Sequence, residues 1–193
     1  MSYFTQEQLS KLGFKSLGKN VKISDKAAIY DCDNIEIGAN SRIDDFCVIS
    51  GNVKIGSNVH ITPMCLIAGG EKGIILEDFV TISYGVTIFT QSDDYHGYSL
   101  TNSTIPKEYK NEKKLKVLLK RHSIVGSGST ILPGVVLEVG VSVGAMSLVT
   151  RSTNPWSIYA GIPAVKIKER SKELLKKEKR YLKNDNNNSQ KTE

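Results

Sequence analysis

The chain has 193 residues, 39% of them hydrophobic, and a formal charge of +6, which suits one soluble domain with a sizeable core. No run approaches the ~18 apolar residues of a membrane-spanning helix. Met1 to Lys11 lacks the basic-then-apolar order of a secretory signal, so no membrane insertion and a cytoplasmic location are expected.

The charge is concentrated. Val165 to Lys183 holds nine Lys or Arg against three Asp or Glu, and the 164 residues outside this segment and the ten-residue tail carry only about +1. A solvated helix face accounts for this pattern, and no nucleic-acid partner is expected.

In chain order, Thr5-Gln6-Glu7-Gln8 has the spacing of a capping box, which predicts a short helix within an N-terminal cap spanning 1–18. A six-residue beat follows. Ile37, Ile43, Ile49, Ile55, Ile61 and Ile67 share one register. A three-residue insertion around Gly69–Gly73 shifts it to Leu76, Ile82 and Ile88, and it resumes at Leu119, Val125, Ile131, Leu137, Val143 and Val149. Helices repeat apolar residues at steps of three and four, and ordinary strands alternate by two. A beat of six across turn residues is the rule of a triangular solenoid, in which three hexapeptides make a coil and successive coils pair as parallel strands about 4.8 Å apart.

The fourth residue after each aliphatic is small or β-branched, which suits an inward corner position. Cys47 and Cys65 both fall there, eighteen residues apart, and are expected to stack as packing residues rather than to form a disulfide. With Cys32 they fit no zinc spacing, and no metal is expected.

The repeat is interrupted for 28 residues from Gln91 to Leu118, and a stretch this long within a domain is usually functional. It contains His96, preceded by Asp93 and Asp94, with Tyr95 between. His96 is the first candidate for a base and His122, on a coil and outward by register, the second. His60, also outward, reads as a surface residue. From Glu169 to Lys183, leucines among charges predict a helix, and the basic segment 165–183 is taken as a C-terminal helix. The polar tail 184–193 is expected to be disordered.

The hexapeptides resemble those of the left-handed β-helix acyltransferases. Tyr159-Ala160-Gly161-Ile162-Pro163-Ala164, followed by Lys166, Lys168 and Arg170, is similar to the exit segment of the acetyl-CoA-dependent branch. Phe89-Thr90-Gln91-Ser92-Asp93-Asp94-Tyr95 looks like a loop of the galactoside and maltose acetyltransferase type, in the subgroup linked to O-antigen, capsule and exopolysaccharide synthesis. The resemblance implies an all-β solenoid, a left-handed parallel β-helix over 19–164 with a short helix before it and another after it.

It also implies acetyl transfer from acetyl-CoA to a sugar hydroxyl in surface polysaccharide synthesis. Alternatives are an N-acetyltransferase on a nucleotide-linked amino sugar and a non-catalytic trimeric scaffold. Members are homotrimers with sites between subunits, taking a small-molecule or glycan acceptor. Residue by residue, Ile124, Ser127 and Ala145 correspond to the pantetheine groove, with the Ser127 N–H as an oxyanion donor. Thr150, Arg151, Lys166, Lys168 and Arg170 correspond to the nucleotide end of CoA. Ungapped matching puts Asp93, not a histidine, where the base of the maltose and galactoside acetyltransferases stands. By their chemistry Asp93 and Asp94 are candidates to orient an imidazole or to bind sugar hydroxyls, and Tyr95 to stack on a sugar face.

Overall fold

The computed structural model describes residues 2–189. Thr5 caps helix α1 (Gln6–Lys11): its side chain accepts the Gln8 N–H, and the Gln8 side chain accepts the Thr5 N–H. This reciprocal box satisfies two of the N–H groups that a helix start leaves without partners. Leu9 then plugs the open end of the core, fully buried.

Beyond α1 the chain winds as a three-faced parallel solenoid. Face one stacks Ser16–Leu17, Ile35–Ile37, Val53–Ile55, Ile74–Leu76, Val117–Leu119 and Val136–Leu137. Face two stacks Lys22–Ile23, Arg42–Ile43, His60–Ile61, Thr81–Ile82, Ile124–Val125 and Ser142–Val143, and ends in Ser157–Gly161 and Ala164–Glu169. Face three stacks Ala28–Ile29, Val48–Ser50, Leu66–Ala68, Thr87–Phe89, Thr130–Ile131 and Leu148–Val149.

The six-residue beat is the core. All fifteen aliphatic residues of the register are buried, and they lie directly over one another, as in Ile43↔Ile61, Ile61↔Ile82, Ile82↔Val125 and Val125↔Val143. Burying each Ile or Leu contributes about 1.5–3 kcal/mol. Cys47 and Cys65 are free and buried in adjacent coils. Their thiols donate to the carbonyls of Thr62 (3.1 Å) and Ser83 (3.2 Å).

The three corners are specialised. The third, from face three back to face one, absorbs the extra residues at 69–73, where Asn52 Nδ2 donates to the carbonyls of Gly70 (3.0 Å) and Glu71 (3.2 Å). One coil later it emits the excursion, whose base is a two-stranded antiparallel pair, Gln91–Ser92 with Lys113–Lys114. The chain rejoins face one at Val117, so Val117 and Leu118 belong to a coil rather than to the loop.

The C-terminal segment departs from the expected helix. Ala164–Glu169 is a strand, antiparallel to Ser157–Gly161, and helix α2 starts at Leu174 and runs to Ser189. Val165 and Ile167 alternate with lysines, a period of two that favours a strand. Of the tail expected to be disordered, 184–189 continue α2, and 190–193 lie outside the described residues. Among the described residues no helix is long and apolar enough to cross a membrane.

Candidate active site

At the second corner, between faces two and three, each coil places a residue just past its buried aliphatic. In order these are Ser24, Asp44, Thr62, Ser83, Gly126 and Gly144. The column carries polar side chains in the early coils and only glycine in the late ones, where the lack of side chains leaves a shallow trench along the corner. An added Cβ on Gly126 would lie 2.5 Å from the Ala145 nitrogen, so only glycine lets these coils close on one another.

Ile124, Ser127 and Ala145, the expected pantetheine contacts, border the late half of this trench. The equivalent N–H at the first corner, that of Ser57, is taken by Asp78 Oδ1 at 2.8 Å. The Ser127 N–H has no partner among the described residues, so it is available to an oxyanion. Ser83 lies one coil before it, and the Gly128 N–H donates to the Tyr84 carbonyl across the two coils at 2.8 Å. Ser83 was not among the sequence candidates. The signal was a hydroxyl at the position that later coils give to glycine.

The remaining expected donor contacts are dispersed. Thr150 and Arg151 are exposed at the third corner, and Lys166 and Lys168 lie on the terminal hairpin, with Lys166 paired to Glu169. Arg170 is turned inward. Its Nη1 donates to the carbonyls of His122 (2.7 Å), Gly140 (3.0 Å) and Val141 (3.3 Å), so it staples the hairpin to the coils.

His122 is outward by register, as expected, but covered, with 8% of its surface exposed. It stacks on Phe79 at 5.2 Å, and its Nε2 meets Glu178 Oε2 of α2 at 3.1 Å. Glu178 is also bound by Arg121, whose Nε lies 3.0 Å away. Burial pushes the Glu178 carboxyl up, but the Arg121 and His122 contacts outweigh it and hold the group below its usual range. A side chain so enclosed positions a helix. His122 also lines a 330 Å³ cavity with Phe79, Thr81, Ile124, Arg170 and Tyr181.

The excursion separates its two aspartates by role. Asp94 accepts the N–H groups of His96 (2.8 Å) and Tyr98 (2.9 Å) and the Ser99 hydroxyl (3.2 Å). These bonds, the His96 N–H foremost, lower its pKa; Asp94 organises the loop. The Asp93 carboxylate accepts only the Asn102 N–H, at 3.4 Å, among the described residues. It borders two cavities. One of 450 Å³ also holds Asp94, Tyr95, His96, Glu112 and Lys113, and one of 370 Å³ holds Phe89, Gln91, Asn102 and Ser103. His96 and Tyr95 are exposed, and His96 stacks on Tyr98 at 6.1 Å. Among the described residues no group of three metal-ligating side chains gathers.

Comparison with known proteins agrees with this architecture. The family described as bacterial transferase hexapeptide (six repeats) matches residues 34–69. The dTDP-4-amino-4,6-dideoxy-D-glucose acyltransferase of Escherichia coli is 44% identical over 180 residues, 92% of this chain and 94% of that protein. The crystal structure of AntD, an N-acyltransferase from Bacillus cereus, in complex with dTDP and 3-hydroxybutyryl-CoA, superposes with a TM-score of 0.94 at 49% identity, covering 96% of this chain and 98% of that one. Other AntD structures carry substitutions at one aspartate and at a serine ten residues before it. A maltose O-acetyltransferase from Clostridium difficile 630 shares the fold alone, with 20% identity and a TM-score of 0.55 over 86% of this chain and 75% of that one. The fold and these relatives define an acyltransferase of the β-solenoid class. The chain belongs to the hexapeptide-repeat acyltransferase family and has its left-handed parallel β-helix.

Proposed function

We propose that this chain is an N-acyltransferase that moves an acyl group from a CoA thioester to the amino group of a dTDP-linked amino sugar. The observation that carries this is the close match, over nearly the whole chain, to AntD bound to dTDP and an acyl-CoA. Ser83 and Asp93 add to it. They are the only serine and aspartate in this sequence with that order and a separation of ten, the spacing of the two residues altered in AntD. The amine reading therefore has better support than transfer to a sugar hydroxyl for a surface polysaccharide, and a non-catalytic scaffold has no observation in its favour.

The chemistry fits the site. An amine is a better nucleophile than a hydroxyl and asks less of a base. CoA lies along the late coils past Ile124 and Ala145, and the thioester oxygen meets the Ser127 N–H. Ser83 stands beside that oxygen, and Asp93 accepts a hydrogen bond from the amine. Ser83 and Asp93 sit at opposite ends of the Thr87–Phe89 face, a span of roughly 15–20 Å at ~3.3 Å per residue. A site that uses both takes one from each of two neighbouring copies, which supports a homotrimer.

Release of free CoA is the test. Release with dTDP-4-amino-4,6-dideoxyglucose, from acetyl-CoA or 3-hydroxybutyryl-CoA, is expected to exceed that with the 4-hydroxy sugar nucleotide or free sugars by at least about 100-fold. Ser83→Ala and Asp93→Asn are each expected to lower kcat/KM by about 10- to 100-fold. Release with hydroxyl sugars and none with the amine would overturn the reading.

A further inference from the structure

The early half of the trench holds a second set of polar groups beyond Ser83, Asp93 and Ser127. Asp44 is almost fully enclosed, with its side chain 2% exposed. Its carboxylate accepts Arg42 Nε at 2.6 Å and Nη2 at 3.2 Å, and the Tyr3 hydroxyl at 3.3 Å. It also meets His60 Nε2 at 2.9 Å. An ionised carboxylate only accepts, so Nε2 carries the proton, and in the neutral ring Nδ1 is left with a lone pair. That nitrogen has no partner among the described residues. His60 pairs in register with Thr81 of the next coil, and Ser83 is the next outward residue along that strand. Between Asp44 and Ser83 in the column stands Thr62, 8% exposed, whose Oγ1 is buried without a hydrogen-bond partner among the described residues. A carboxylate-oriented imidazole beside an unsatisfied hydroxyl, one coil from the reacting corner, is an arrangement that a polar ligand completes.

We propose that His60, held by Asp44, is the proton acceptor for the attacking amine, and that Thr62 faces the same acceptor. This rests on the N-acyltransferase reading. The amine lone pair forms the C–N bond at the thioester carbonyl. As that adduct forms, one N–H proton passes to His60 Nδ1, while Nε2–H stays on Asp44. The C–S bond then breaks, and the imidazolium returns the proton to the departing thiolate, which leaves as the CoA thiol. Asp93 binds the amine and the Ser127 N–H binds the oxyanion. Among the described residues, Asp44 of the preceding coil is the charged group in contact with the ring, and it is joined in turn to Arg42 of the same coil and to Tyr3 of the N-terminal cap.

The experiment uses the full chain with dTDP-4-amino-4,6-dideoxyglucose and a CoA thioester. His60→Ala and His60→Asn are each expected to lower kcat about 100-fold with the acceptor KM within about twofold. The acid limb of the kcat/KM profile should flatten, and added imidazole should restore part of the rate of His60→Ala but not alter the wild type. His60→Asn still donates to Asp44, so a purely structural role predicts its recovery. Recovery by Asn, an unchanged kcat in both variants, or an effect on KM alone would each overturn the proposal. A wild-type enzyme inactive on the amine but active on hydroxyl sugars would overturn the underlying reading as well. An active wild type with unaffected variants removes His60 alone.

Discussion

Asp44 shows how one side chain can be costly to bury and still anchor its surroundings. Burial pushes its carboxyl up, but the hydrogen bonds from Arg42 and His60 outweigh that penalty and hold it below its ordinary value of 3.8. A depressed carboxylate stabilises the folded state fully above its unfolded pKa, and that contribution drains as pH falls through the lower folded value. Asp44→Asn is therefore expected to cost about 1–3 kcal/mol at neutral pH and to flatten the acid arm of stability against pH, as followed by urea denaturation. A variant with the wild-type acid arm would show that this carboxylate stays unpaired.

At this scale the sequence was only partly legible. Asp93 was found by ungapped matching, and Asp94 beside it could not be told apart until the loop's hydrogen bonds were seen. Ser83 neighbours His60 and Thr62 only because the coils are offset by 21 residues at that point. A linear reading leaves Ser83 apart from that pair and makes His60 a surface residue.

Among the elements, α2 is the one whose start the sequence misplaced. Its charge pattern reads as one helix from Val165, whereas Ala164–Glu169 extends face two. The packing of α2 lies in residues distant along the chain. At the third position past the aliphatic, the first corner carries Asn58, Phe79 and His122, all in left-handed conformation, and α2 lies along them. The Tyr181 hydroxyl donates to Asn58 Oδ1 at 3.0 Å, the Tyr181 ring meets Phe79 edge-on at 6.1 Å, and Glu178 bridges Arg121 and His122. Removing the charge at Glu178 leaves Arg121 paired only with Asp78. Glu178→Gln is expected to weaken this docking by about 1–3 kcal/mol, seen as roughly 5- to 100-fold faster amide exchange across 174–184 with the coils unaffected. Exchange rates equal to wild type would mean that the aromatic contacts alone hold the helix. The solenoid was legible from Ile37 onward, because every coil repeats the same instruction and the aliphatic register resumes after both interruptions; the first coil, with Leu17, Ile23 and Ile29, escaped that reading, and its strand Ser16–Leu17 lies within the stretch 1–18 assigned to the cap.

For the whole molecule, the three corners divide the labour: the first seats α2, the second forms the trench, and the third carries the excursion. Ser83 belongs to the second and Asp93 to the third, so copies crippled at different residues should repair each other. In the proposed homotrimer, random mixtures of Ser83→Ala and Asp93→Asn are expected to recover roughly a quarter of wild-type activity, the fraction of interfaces that receive one intact residue from each side. Neither parent alone should approach this, and mixtures no more active than their parents would place both residues within one copy. Sedimentation of the same samples reports the assembly state.

The five residues 69–73 have a further consequence. They bulge out of the corner while Val53 still pairs with Ile74 and Ile55 with Leu76, so added length at this turn leaves the ladders undisturbed. One rung on, the same turn tolerates 91–116. Loops of other lengths grafted at this turn are therefore expected to leave the coils beneath in register. Exchanging the graft between relatives would then be a route to new acceptors on an unchanged donor track.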